Sequence, residues 1–72
     1  MHRYHFDVRN EFAALADKRG RHCDSVLEAM VLAKSALVVL AEDGSLESLP
    51  WIEIADEQGR IVATVRVDEL KN

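Results

Sequence analysis

The stretch Arg3-Tyr4-His5-Phe6-Asp7-Val8-Arg9-Asn10 gathers an imidazole, a phenol, two guanidiniums and a carboxylate into eight positions of this 72-residue chain. Such groups serve acid–base chemistry, metal ligation or anion recognition, depending on which of them share a face. The metal-ligating types are His2, His5, His22 and Cys23. His2 and His5 are an odd number of residues apart, so in a strand they point to opposite sides and cannot share an ion. His5 with His22 and Cys23 is the set that remains, and it lacks the spacing of a zinc motif, so separate core and surface roles are preferred. A Cys23–His22 nucleophile fails for a similar reason. Neighbours in an extended stretch face apart, and an activated thiol needs an electropositive setting. Cys23 is therefore read as a small core residue. Asp56 and Glu57 are adjacent carboxylates in an exposed turn, Asp56 forming an Asx bond, and Asp17 near Gly20 reads the same way. No catalytic residue, metal ligand or cofactor pattern is assigned, and the chain is not read as an enzyme.

The basic residues offer a second chemistry. Arg3, His5 and Arg9 fall on one strand face, with Lys18, Arg19 and Arg21 expected near by and Trp51 as an outward aromatic anchor. Such a surface would suit RNA or an acidic partner. The blander reading is a solvated face whose charges pair with Asp7 or Glu53 across strands. Net charge favours the bland reading. The formal total is −4, and residues 25–72 hold nine acidic against four basic residues. Phosphate-backbone binding needs the opposite balance.

The elements that must carry these residues follow from periodicity. His2, Tyr4, Phe6 and Val8 alternate with Arg3, His5, Asp7 and Arg9, the period of a half-buried strand. Residues 10–16 fit either a strand or a helical turn. Asp17-Lys18-Arg19-Gly20 is a turn, expected to form a hairpin between a short strand near 12–16 and an extended stretch at 21–23. Ser25 with Glu28 makes a capping box for a helix reaching Glu42, closed by Gly44 in a left-handed cap. Residues 45–50 form a linker, and 51–67 form a hairpin. Its four-residue loop, Asp56–Gly59, is expected to set Ile54 opposite Ile61, with Ile52, Ala63, Val65 and Val67 on the same core side.

Several motifs together carry a family resemblance: Tyr-x-Phe at 4–6, Asp-x-x-Gly at 17–20, alanines at 29 and 33, and Ile-Ala-Asp-Glu-x-Gly-Arg at 54–60. The chain resembles a group of short, uncharacterised alphaproteobacterial proteins classed as a domain of unknown function, over nearly all of its length. Typical members place a glycine-rich turn and an Ile-Pro pair before Asp-x-x-Gly, where this chain has Asn10 to Ala16. The shared motifs are structural, and the resemblance implies no activity.

The helix is the most informative element. At 100° per residue, Val26, Ala29, Met30, Ala33, Ala36, Leu37, Leu40 and Ala41 form the arc needed to pack on a sheet. Leu27, Val31 and Val38 extend the apolar surface on one flank, beside Lys34, while Leu32 and Val39 extend it on the other. A helix apolar nearly all round is buried on more than one side. Either the 45–50 segment covers a flank with Leu46 and Leu49, or a second copy does, and the homodimer is preferred. A chain of this size has one small core, and its single cysteine allows no internal disulfide, which makes oligomerisation the remaining stabiliser. The single cysteine makes a reducing cytoplasm the expected setting, and no apolar run reaches the ~18 residues of a membrane span nor is a basic-then-apolar leader seen.

The expected fold is a single α+β domain over residues 1–72, in the order β-β-α-β-β. Three or four antiparallel strands would carry one long helix across one face. Its expected role is a non-enzymatic interaction or structural module that pairs with itself, with no membrane contact. A nucleic-acid-associated or regulatory module using Arg3, His5, Arg9, Arg21 and Trp51 is the alternative, and no other protein partner is identified.

Overall fold

The computed structural model describes residues 2–42 and 50–66, with backbone only at 41 and 42. Its elements are β1 (His2–Arg9), β2 (Ala14–Leu15), β3 (Arg21–Cys23), α1 (Val26–Glu42), β4 (Trp51–Ala55) and β5 (Ile61–Arg66). The fold is α+β as expected, but among the described residues the sheet has five strands and the order is β-β-β-α-β-β. The expected cap at Gly44, the lids Leu46 and Leu49 and the final hairpin residue Val67 lie outside the described residues.

Every strand pair is antiparallel, and β1 is the hub. The path across the sheet is β2-β1-β4-β5, and β3 also pairs with β1. Val8 faces Leu15 on β2, whereas Tyr4 faces Arg21 on β3, so the returning chain runs along one edge of β1 in two pieces. This corrects the hairpin expected around residues 17–20. The reversal lies at residues 10–13, where Asn10 N–H donates to Ala13 O at 3.0 Å. Asn10 Oδ1 also accepts from Phe12 N–H and Ala13 N–H, each at 2.8 Å. That double Asx bond holds residues 10–13 as a turn and leaves only Ala14 and Leu15 extended.

The helix begins where Ser25 Oγ accepts from Glu28 N–H at 3.2 Å, the expected N-cap. Ala29, Ala33 and Leu37 face the sheet with almost no exposure and meet Tyr4, Cys23, Ile52, Ile54 and Val65. Phe6, Val8, Val26, Met30, Leu32 and Leu40 pack around them, half-buried. Each of Leu37, Ile52, Ile54 and Val65 contributes about 1.5–3 kcal/mol on burial. A core of so few large side chains is thin, which fits the length of the chain.

The C-terminal hairpin also departs from expectation. Ile54 pairs with Ala63 and Ala55 with Ile61, with a β-bulge between them. Asp56 N–H donates to Arg60 O at 2.9 Å and Gly59 N–H to Asp56 O at 3.0 Å, so the loop is longer by one residue than the expected four. The extra residue turns Ile61 away from the core, and it is 53% exposed.

Among the described residues two glycines have positive φ, Gly20 at 71° and Gly59 at 82°. A Cβ on Gly20 would lie 2.8 Å from Arg3 Cγ and 2.9 Å from the Tyr4 carbonyl oxygen, whereas one on Gly59 would meet open space. Gly59→Ala should therefore cost about 1 kcal/mol from φ alone. Gly20→Ala should cost at least about twice that, because overlap with backbone adds to the strain. Urea unfolding of the two variants measures the contrast, and equal losses would contradict it.

Candidate functional site

Asp17 lies in the gap between β2 and β3. Its Oδ2 accepts from Phe6 N–H at 3.1 Å, and its Oδ1 accepts from Gly20 N–H at 3.0 Å and from Arg19 N–H at 3.2 Å. Its own N–H donates to Asp7 Oδ1 at 2.9 Å, and its carbonyl oxygen takes His5 Nδ1–H at 2.7 Å. The Asx turn to Gly20 is the one expected. The reach of Oδ2 across to β1 is not, because no local sequence signal marks a carboxylate that replaces a strand. Burial alone would raise the Asp17 pKa, but the N–H groups of Gly20, Phe6 and Arg19 outweigh it and hold the carboxyl below its ordinary value.

A carbonyl can only accept, so His5 donates from Nδ1 and turns Nε2 away from Asp17. His5 lines an outward cleft of about 390 Å³ together with Asp7, Asp17, Asp56 and Glu57. The aspartates there already serve the backbone. Asp7 takes the Asp17 N–H, while Asp56 Oδ1 accepts from Gln58 N–H at 2.9 Å and Arg60 N–H at 3.0 Å. The Arg60 N–H leads the interactions that lower the Asp56 pKa. These acids shape loops, and the cleft holds one directed imidazole.

Of the remaining metal candidates, the sheet sets His22 on the side away from Cys23 and His2. Cys23 pairs with His2 and is fully buried on the helix side, while His22 pairs with Arg3 and faces outward. Burial pushes the Cys23 thiol up, with Glu28 adding to the effect, the reverse of an activated nucleophile. His2 sits 3.5 Å from Glu57 and edge-on to Tyr4.

The basic set is divided as well. Arg3 donates to Arg19 O at 3.0 Å. Arg9 Nε lies 2.7 Å from Glu53 Oε1, an ion pair without the alignment of a hydrogen bond. Arg9, Trp51 and Arg66 form one row across β1, β4 and β5, with the Arg66 guanidinium 5.2 Å from the Trp51 ring centre. Trp51 is thereby half-covered from within. Arg21 does not join Arg3, His5 and Arg9. It stands opposite Tyr4 on the helix side and lines a small groove with Phe6, Val8, Leu32 and Ala36. Residues directly opposite in an antiparallel pair share a face, so Arg21 lies with Tyr4 on the side away from the basic surface to which it was expected to belong.

The apolar helix positions separate into two flanks. Leu27, Val31 and Val38 are 72%, 60% and 41% exposed. On the other side Val39 is exposed, but Leu32 packs half-buried against the core beside β1. Phe12 and Leu15 are also largely exposed, on the turn before β2 and on β2 itself.

Replacing Asp17 tests the knot. Asp17→Asn sets an amide donor against one of the N–H groups now satisfied, at a cost on the order of 1–3 kcal/mol. The wild-type contribution is fully present above the ordinary carboxylate pKa and is lost as pH falls through the lowered folded value. Asp17→Asn should therefore flatten the acid limb of the stability curve below about pH 4. An unchanged acid limb in urea titrations would show that Asp17 carries no such linkage.

Comparison with known proteins matches the chain to a family model. The family model described as "Domain of unknown function (DUF6894)" covers residues 3–68. No curated protein and no solved structure matches the chain. The matched span holds β1, the Asp17–Gly20 turn, the helix and the hairpin, and the chain belongs to this family of domains of unknown function.

Proposed function

We propose that this chain is a non-enzymatic interaction module of the cytoplasm that acts as a homodimer, joined through the Leu27–Val31–Val38 flank of α1. The observation that carries this reading is the exposure of those three side chains on one side of the helix. Single exposed apolar residues are ordinary, whereas an aligned row on a helix has the form of an interface. Residues at i, i+4 and i+11 stay in line along a helix, so a second copy can meet them with the same three. Leu32 and Val39 belong to the opposite flank, and Leu32 already serves the fold. The reading as a non-enzyme is supported by the acids, whose lone pairs hold backbone N–H groups, and by a cysteine buried in the core.

Light scattering across a dilution series tests the reading. Wild type should have the mass of a dimer at high concentration, and Val31→Glu/Val38→Glu that of a folded monomer. The substitutions are at exposed positions, so circular dichroism should show an intact fold. A wild type that stays monomeric at the highest concentration would overturn the reading.

A further inference from the structure

The flank named above is too small to hold a dimer alone. Three aliphatic side chains that are already part-covered offer on the order of 200 Å² per protomer. A stable interface takes about 800 Å² from each partner. Additional surface must therefore lie beside the flank.

The helix orientation shows where. Leu32, Ala33 and Ala36 line the groove with Phe6, Val8 and Arg21, so that flank faces β1 and β3. The Leu27–Val31–Val38 flank is on the other side of α1 and overlooks β5. Among the described residues, no strand pairs with the outer edge of β5. The hydrogen-bond alternation fixes which groups that edge presents. Phe6 N–H is used by Asp17, so Phe6 and Ile54 face each other without exchanging bonds. Ile54 and Ala63 are then a bonded pair, and Thr64 directs its N–H and C=O to the open edge.

Resting on the dimer reading, we infer that two copies join β5 to β5 in antiparallel fashion with Thr64 at the two-fold axis, forming a continuous sheet whose two helix flanks meet above the seam. The register is chosen by charge. Centred on Thr64, the pairing sets Thr64 against its own copy and Arg66 against Val62 of the second chain. Centred on Arg66, it would set two guanidiniums directly opposite, which is destabilising. The six-residue strand is about 20 Å long, and sheet and helix layers together give the seam a depth of roughly the same size. Such a seam supplies several hundred Å² on each protomer, the scale that the flank alone lacks.

Amide hydrogen exchange on the full chain, read residue by residue by NMR alongside light scattering, tests this assignment. In the dimer, Thr64 N–H should exchange at least about tenfold slower than in diluted monomer, while Ala63 N–H, bonded to β4, is protected in both. Thr64→Pro removes the outward donor only and should yield a monomer with its other strand amides still protected. Should that variant fail to fold, the wild-type exchange decides. A dimer in which Thr64 N–H exchanges as in the monomer would overturn the sheet seam and leave the helix-flank dimer standing. A wild type that never dimerises would overturn both.

Discussion

Along one edge of β1 the ladder is interrupted between β2 and β3, and Phe6 N–H falls in the gap. A donor left there without an acceptor would weaken the strand on which every neighbouring strand depends. Asp17 fills the place with a carboxylate oxygen, and its second oxygen ties down Arg19 and Gly20. From that point the chain returns to β1 as β3, brings Cys23 into the core and starts the helix at Ser25. One side chain thus takes the place of a strand partner opposite Phe6. Gly20 belongs to the same device, because only a residue without a Cβ passes so close to the Tyr4 carbonyl.

Much of the architecture was legible in the sequence, and the failures share a cause. The alternation from His2 to Arg9 reads directly as β1, since aromatic and charged residues leave no doubt about the buried side. The helix and its Ser25 cap were legible for the same reason, a long and regular pattern. Strands of two and three residues carry no period, so residues 14–15 and 21–23 could be placed but not paired. Their partner was decided by Asn10 and Asp17 side chains bonding to backbone. The bulge at Ile54/Ala55 likewise left no mark in the alternation, and it turned Ile61 outward.

The candidate site shows the same division. Turn roles for Asp17 and Asp56 follow from residue type, and the structure has both. Sharing of a face does not follow from nearness in sequence. Arg21 and His22 are neighbours, yet one lies under the helix and the other on the open side of the sheet. The eight-residue stretch from Arg3 to Asn10 holds a strand whose polar side chains fasten the loops around it. Asp7 and His5 secure residue 17, Arg3 secures residue 19, and Arg9 meets Glu53.

Ala29 and Ala33, on the sheet side of the helix, have essentially no exposed surface. With only a methyl group between backbone and sheet at each of these two turns, the helix lies low against the strands and cannot roll about its own axis without driving a larger neighbour, Val26 or Met30, into the space. The azimuth of the whole helix is therefore set by its smallest side chains. Drift at position 29 or 33 toward a bulkier residue would re-aim Leu27, Val31 and Val38 without altering any of them, so the direction in which the exposed side chains point is encoded on the inward face.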